Sequence, residues 1–211
     1  MILVVEAMSV AFVEQFWAFV QEGQYERQEK SEDGRKYYRF LKPQNKDFPT
    51  QVELFCRVPD AVILQEPAHL TPIPIDDDVS SLSAILLNSD YYTYVLEQSM
   101  MKNGLHLANP SALICLKAKA FLELSDRKEQ GQQIDSKNIS KHKSDVFRLL
   151  VLLAEGDQFE LPASIKSDMQ AFVQTVGHHL PENEIFKAMG LGNIDVAALF
   201  QRLISSFNLT N

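Results

Sequence analysis

Two neighbouring segments decide the fold of the C-terminal half of this chain: Asn109-Pro-Ser-Ala-Leu-Ile-Cys-Leu-Lys-Ala-Lys-Ala-Phe-Leu122 and Ser140-Lys-His-Lys-Ser-Asp-Val-Phe-Arg-Leu-Leu150. In both segments apolar residues recur at steps of three or four, which is typical of a helix with one buried face. These apolar positions are Leu113, Leu116, Ala120 and Leu124 in the first helix and Val146, Leu149, Leu150 and Leu153 in the second. Asn109 is expected to cap the first helix with its side-chain oxygen, and Pro110 suits the first helical position.

The polar residues of the two predicted helices form a second pattern. Lys117 directly follows Leu116 and therefore lies at the edge of the apolar face. On the second helix Lys141, Asp145 and Arg148 share one side, at steps of four and three residues. A lysine that faces such a set suits a groove for phosphate and metal. The same spacing fits an ordinary solvated helix pair with surface salt bridges, so both interpretations stay open.

The overall composition limits the classes of function. The chain has 211 residues, enough for one large domain or one domain with a helical appendage. Its 20 Lys and Arg residues against 28 Asp and Glu give a net charge of -8, which argues against broad, sequence-independent binding to nucleic acid. Cys56 and Cys115 lie in apolar contexts and are expected to be core residues in a reducing compartment. No apolar run reaches membrane-spanning length, so we expect a cytoplasmic protein without a membrane partner.

The N-terminal half has the patterns of a sheet. Met1–Glu6 is a continuous apolar run, typical of a strand inside a sheet, and we expect it to be left with one neighbour. A helix is expected from Ser9 to about Gln21, ended by Gly23. The further predicted elements are strands at 25–28, 36–41, 51–57, 73–75 and 83–88, a turn at 31–35 and a helix opened by Asp90.

The predicted fold class is α+β. A mixed sheet with helices occupies residues 1–108, and helices near 110–125, 140–155, 162–178 and 193–207 occupy residues 109–211. Residues 125–141 are rich in Lys, Glu, Gln, Ser and Gly and are expected to form a surface loop.

Five segments together resemble the AbiEii/AbiGii-type nucleotidyltransferase-like family, a branch of the DNA polymerase β-type nucleotidyltransferase superfamily. They are Arg35-Lys-Tyr-Tyr-Arg-Phe40, Thr50-Gln-Val-Glu-Leu-Phe55, Ser80-Ser-Leu-Ser-Ala-Ile-Leu-Leu87, Leu113-Ile-Cys-Leu-Lys-Ala-Lys-Ala120 and Lys141-His-Lys-Ser-Asp-Val-Phe-Arg-Leu149. Their order and spacing carry the resemblance over roughly residues 1–155, and the helices after Leu161 match no motif of the family. The resemblance implies a nucleotidyltransferase-like sheet with helices.

Family members that are enzymes hold Mg²⁺ and a nucleoside triphosphate with a Gly-Gly or Gly-Ser turn, an Asp-x-Asp pair on a strand and a third carboxylate on a neighbouring strand. Hard oxygen ligands hold the two ions that bridge the triphosphate and the attacking hydroxyl. By this resemblance Glu53 takes the place of the third carboxylate, a metal ligand. Lys117 and Lys143 would meet phosphates and Asp145 would orient a lysine or the nucleotide, with Lys141 and Arg148 beside the nucleotide.

The chain departs from the family pattern before Glu53. It has no Gly-Gly or Gly-Ser turn, and no Asp-x-Asp precedes Glu53. Asp76–Asp78 has the letters of the pair but follows Glu53, so a solvent-exposed turn is the better interpretation. The resemblance therefore implies a member that lacks the N-terminal catalytic segment, in which Met1–Glu6 is the tail of the strand that carries the pair elsewhere.

Two functions follow as expectations. The first is a nucleotidyltransferase-like toxin component of a toxin–antitoxin system, with a cognate antitoxin as partner, inactive and without cofactor as this chain. An exposed edge at the N-terminal strand would also permit a homodimer. The alternative is a non-catalytic protein-binding module on the same scaffold. Its binding surface would come from apolar residues of the later helices, which are Phe172, Val176, Ile185, Phe186 and Leu199.

Overall fold

A computed structural model describes residues 2–7, 10–27, 38–58, 85, 88–102 and 105–209. The chain divides into two compact units, Met1–Asp76 and Asp77–Asn211, which are described separately. The predicted boundary between residues 108 and 109 lies within the second unit. The described residues combine helices with two small sheets, which confirms the α+β class at this coarse level.

The first unit is built on a mixed sheet. Its described elements are β1 (Ile2–Ala7), α1 (Val10–Gly23), β2 (Glu26–Arg27), β3 (Tyr38–Leu41) and β4 (Gln51–Val58). The sheet has the order β1-β4-β3-β2, and β4 pairs parallel with β1 and antiparallel with β3. The strand predicted at the N-terminus is therefore confirmed, and β4 is its one neighbour among the described residues.

Alternation along β4 separates a core face from a second face of this sheet. Val52 and Leu54 are buried and pack with Phe16 and Val20 of α1. Glu53 lies between them in sequence and is half-buried. Because successive strand residues point to opposite faces, Glu53 points away from the face that α1 covers. The predicted orientation of Glu53 is confirmed in this respect.

The second unit is mainly helical. Its described elements are α2 (Ser89–Glu97), β5 (Ser99–Lys102), β6 (Leu105–Ala108), α3 (Pro110–Glu129), α4 (Ser136–Leu150), α5 (Ala163–Val176), α6 (Glu184–Lys187) and α7 (Val196–Ser206). Helix α3 packs against both α4 and α5. Residues from several sides of α3 are therefore buried, including Ile114, Cys115 and Ala118, which lie outside the single stripe that the sequence predicts. Leu113, which the periodicity assigns to that stripe, is only half-buried.

Some local predictions for the second unit are wrong. The loop predicted at residues 125–141 is mostly helix, since α3 continues to Glu129 and α4 begins at Ser136. The side chain of Asp135 accepts a hydrogen bond from the amide of Lys137 and so caps α4 inside this polar stretch. Asn109 does occupy the N-cap of α3, but its side chain makes no capping hydrogen bond.

Two further predictions fail because short apolar patterns are ambiguous between strand and helix. Ile85 is helical, so the strand predicted at 83–88 is wrong at that residue. The antiparallel pair β5–β6 was not predicted. The dipeptide Asn103–Gly104, which is a typical hairpin signal, was the clue in the sequence. The predicted turn at 31–35, the strand at 73–75 and the Asp76–Asp78 run lie outside the described residues.

The later helices of the second unit contribute side chains to its core. Phe172, Val176, Phe186 and Leu199 are buried, so they do not supply the exposed binding surface considered for them. In the part of the chain that the structure describes, no helix is both long enough and apolar enough to cross a membrane.

The packing at the end of α1 gives a test of the first unit. A Cβ atom on Gly23 would come within 2.5 Å of the Tyr25 ring and 2.8 Å of the Phe48 ring. We expect Gly23→Ala to lower the free energy of unfolding of this unit by about 1–3 kcal/mol. The fluorescence of Trp17, the single tryptophan of the chain, during urea unfolding measures this change.

The adjacent residue provides the matched control. Gln24 has a φ of 48°, a conformation that glycine adopts more easily. Gln24→Gly should therefore leave the urea concentration at the midpoint of unfolding unchanged or raise it. If both variants unfold at the wild-type urea concentration, the packing around Gly23 is not as described.

Candidate functional site

The candidate site lies between α3 and α4 and centres on the carboxylate of Asp145. The Nζ atom of Lys117 is 3.1 Å from Oδ2 of Asp145, and Nη1 of Arg148 is 3.1 Å from Oδ1. The side chains of Lys117 and Asp145 are only 19% and 21% exposed. Both carboxylate oxygens thus face cations in a partly desolvated setting. We call Lys117, His142, Asp145 and Arg148 the α3–α4 cluster.

Among the residues of the α3–α4 cluster, His142 has a clearly shifted pKa. Burial, and then the positive charge of Lys117, lowers the pKa of His142 from its usual 6.5 to about 4, although the negative charge of Asp145 opposes this. A histidine with such a pKa is neutral at physiological pH. The positive charge of the cluster therefore comes from its lysine and arginine.

Two basic side chains of α4 also contact backbone carbonyls of a later segment. The Nζ atom of Lys143 donates to the carbonyl of His179 at 3.0 Å, and Nε of Arg148 donates to the carbonyl of Ile185 at 2.9 Å. We call residues 178–185 the strap. Lys143, assigned by the resemblance to phosphate, therefore holds the strap in this structure. Lys141 is exposed.

The charge of α4 contrasts with that of the chain as a whole. The helix carries one acidic residue, Asp145, and four basic ones, Lys137, Lys141, Lys143 and Arg148, whereas the whole chain has a net charge of -8. A local basic surface on an acidic body favours a small anionic ligand over a long polyanion.

Lys119, which sequence reasoning left unassigned, has a carboxylate partner on another helix. Its Nζ atom is 3.0 Å from Oδ1 of Asp168 on α5. The hydroxyl of Tyr91, which is 1% exposed, donates to the other oxygen of Asp168 at 2.9 Å. Burial and the neighbouring Asp168 raise the pKa of Tyr91. The sequence signal for a separate partner of Lys119 was its two-residue step from Lys117. This step directs the two lysines to different flanks of α3.

Glu53, the predicted metal ligand, belongs to the first unit, whereas the α3–α4 cluster belongs to the second. Its Oε1 atom accepts a hydrogen bond from Nε2 of Gln51 at 2.8 Å. Among the described residues no group of three or more His, Cys, Asp or Glu side chains could hold a metal ion. That Glu53 and Lys117 face a common groove stays a prediction.

Comparison with protein-family models, with curated proteins and with solved structures gave no match to this chain.

The Lys119–Asp168–Tyr91 contact gives a stability prediction. Asp168→Ala leaves the buried hydroxyl of Tyr91 without its acceptor and leaves half-buried Lys119 with only Glu123, whose Oε1 atom is 4.0 Å from Nζ, and we expect the free energy of unfolding to fall by about 2–3 kcal/mol. Urea unfolding followed by circular dichroism measures it. Glu184→Ala is the control. Glu184 pairs with Lys187, and the two side chains are 69% and 70% exposed. This substitution should change the free energy of unfolding by less than about 0.5 kcal/mol. Equal effects of the two substitutions would contradict a supporting role for Asp168.

His142 gives a pH prediction. The unfolded chain binds a proton at His142 near pH 6.5 and the folded chain only near pH 4, so the unfolded state binds more protons between these values. The free energy of unfolding should therefore fall by about 2 kcal/mol as the pH drops from 6.5 to 4. At still lower pH the contribution of His142 levels off, because both states then bind the proton.

The comparison of wild type with His142→Gln isolates this effect from the carboxylates that titrate in the same range. The difference in unfolding free energy between the two proteins should narrow or reverse as the pH falls. A difference that does not depend on pH would show that the pKa of His142 is not lowered.

Proposed function

We propose that this chain is a nucleotidyltransferase-like protein of the AbiEii/AbiGii type, and that its α3–α4 cluster meets the phosphates of a nucleoside triphosphate. The observation that carries the proposal is the 3.1 Å approach of Lys117 to Asp145. The family resemblance assigns both residues to one site, although they come from separate helices. A solvated helix pair with unrelated surface charges would not need them to meet in a partly buried position.

The chemistry of the cluster suits phosphate. Lys117 of α3 and Arg148 of α4 supply charged donors at one carboxylate, and Lys141 and Lys143 add positive charge elsewhere on α4. Arginine and lysine bind phosphate through charge-assisted hydrogen bonds. In this proposal Asp145 holds Lys117 and Arg148 in place until the ligand arrives, and it does not itself contact phosphate.

The metal part of the proposal rests on Glu53 as the third carboxylate. Two-metal phosphoryl transfer needs further carboxylates to fix both ions. The 211 residues offer no Asp-x-Asp pair ahead of Glu53, so we propose that they bind nucleotide without a magnesium requirement and do not transfer it. A role as the toxin of a toxin–antitoxin pair in the cytoplasm, with an antitoxin as partner, is part of the same proposal and rests on the resemblance alone.

A non-catalytic protein-binding module is the second candidate, and one observation favours it. Met100, Met101 and Leu107 of the β5–β6 pair are 53%, 67% and 44% exposed. Met100 and Met101 are neighbours on one strand and point to opposite faces, so both faces of this two-stranded sheet carry exposed apolar side chains. Met100 pairs with Leu107 across the two strands, so these two exposed side chains adjoin on one face, and adjoining exposed apolar groups are typical of protein contact surfaces.

Titration with a nucleoside triphosphate, followed by NMR of the protein, tests the first candidate. We expect saturable binding with a dissociation constant no tighter than about 1 mM, unchanged by magnesium. Lys117→Met should abolish saturation, because it removes one of the two cations that contact Asp145. Lys128→Met is the matched control, since it removes one positive charge from the exposed C-terminal turn of the same helix and should bind as the wild type does.

Each other outcome has a defined meaning. Equal binding by the two lysine variants, or none by the wild type, would contradict the phosphate role and leave the protein-binding candidate. Binding far tighter than millimolar that requires magnesium would contradict the metal part of the proposal and indicate a complete metal site elsewhere.

A further inference from the structure

A cavity of about 330 Å³ lies between the segment that leads into α5 and the residues that follow α7. Gln158, Phe159 and Lys166 line it from the first segment and from α5, and Phe207 and Asn208 line it from the end of the chain. We call it the α5–α7 cavity. Small-molecule sites have volumes of roughly 300–1,000 Å³, so a cavity of this size suits a small ligand. It shares no residue with the α3–α4 cluster.

The walls of the α5–α7 cavity are fixed by contacts between the two segments. The amide of Phe159 donates to the carbonyl of Ser206 at 2.8 Å, and its ring centroid lies 5.1 Å from that of Phe207. Phe207 is 1% exposed, and the amide of Leu209 donates to the carbonyl of Ile204 at 2.9 Å. Because the walls are held in place without a ligand, binding would not have to order them.

Lys166 is the residue of this cavity that indicates a ligand. It is half-buried, and no described residue forms an ion pair or a side-chain hydrogen bond with its ammonium group. The other half-buried lysines and arginines that the structure describes in the second unit all have such a partner. They are Lys117, Lys119, Arg127, Lys143, Arg148 and Arg202. A partly desolvated cation without a partner favours an anionic ligand.

The remaining lining residues narrow the class of anion. Glu160 carries a negative charge that disfavours a dianion such as phosphate. Half-buried Phe159 and Leu161 offer apolar surface, which an aromatic ring covers and a phosphate group does not. The side-chain amides of Gln158 and Asn208 can donate hydrogen bonds to a carboxylate oxygen. A single negative charge on a flat apolar body fits this lining.

We propose that the α5–α7 cavity binds a small monocarboxylic acid with a planar apolar body. The carboxylate pairs with Lys166, and the body lies against Phe159 and Leu161. This second site takes an organic acid whether or not the α3–α4 cluster takes a nucleotide. Success or failure of the nucleotide titration therefore leaves it untouched.

A series of ligands tests the proposal on the wild-type chain, with phenylacetate as the probe. In NMR titrations we expect saturable shifts of the amide signals of residues 158–161 and 207–208, with a dissociation constant of about 1 mM. Phenylacetamide has the same shape without the charge and should bind at least about tenfold more weakly. Inorganic phosphate should neither shift these signals to saturation nor displace phenylacetate.

Substitutions of Lys166 test the same site from the side of the protein. Lys166→Met should weaken phenylacetate binding at least about tenfold, and Lys166→Arg, which keeps the charge, should stay within about threefold of the wild type. Lys137→Met is the matched control, because Lys137 is an exposed lysine in the first turn of α4. It should bind phenylacetate as the wild type does. Circular dichroism checks that every variant is folded.

Each contrary outcome has one meaning. No saturable shift in the wild type, or equal binding of phenylacetate and phenylacetamide, overturns the site. Equal losses in Lys166→Met and Lys137→Met overturn the role of Lys166, because they show a general effect of charge. Phosphate that displaces phenylacetate overturns the monocarboxylate class.

Discussion

The burial of α3 is the constraint on which the rest of the second unit depends. This helix packs against α4 and α5, so side chains on several of its sides are inside, and Ala112, Ile114, Cys115, Ala118 and Ala120 are all fully buried. A lysine on such a helix cannot reach water freely, and a partly buried ammonium group needs a carboxylate partner. Lys117 meets Asp145 of α4 and Lys119 meets Asp168 of α5, so each flanking helix supplies one carboxylate.

The two lysine pairs differ in what surrounds them. Around Asp168 the hydroxyl of Tyr91 makes a further contact, and Lys119 also lies 4.0 Å from Glu123 of its own helix, so the lysine charge is fully balanced and the contacts join three helices. Beside Asp145, Arg148 contacts the same carboxylate as Lys117, and Lys141 lies one turn earlier on the same side of α4, so positive charges outnumber the one carboxylate. A cation that no carboxylate fully balances can attract an anionic ligand, whereas the balanced Lys119–Asp168 pair cannot. This difference, more than the presence of lysine on α3, supports the α3–α4 cluster as the functional side.

The sequence predicted what depends on local pattern and missed what depends on tertiary contacts. Helical periodicity located four of the five described helices from Pro110 onward and missed the short α6, and alternation at Val52, Glu53 and Leu54 gave the correct faces of β4. The polar composition of residues 125–141 suggested a loop, but the cap at Asp135 and the packing of α3 extend the helices into it. For the site, the three-residue step from Asp145 to Arg148 placed these two residues on one side of a helix, whereas spacing could not show that Lys117, on a different helix, meets Asp145. No local sequence pattern could show that Lys143 and Arg148 donate to the strap. Their acceptors are backbone carbonyls that lie 36 and 37 residues further along the chain.

A double-mutant cycle on Lys117→Met and Asp145→Asn tests the central claim most directly, because it measures the interaction between the two side chains and not their separate contributions. The free energies of unfolding of the wild type, both single variants and the double variant give the coupling. The packing of α3 against α4 predicts a coupling of about 1–2 kcal/mol, more than an exposed ion pair supplies. A coupling below about 0.3 kcal/mol would show that the two residues do not interact in the folded chain, and would contradict this account.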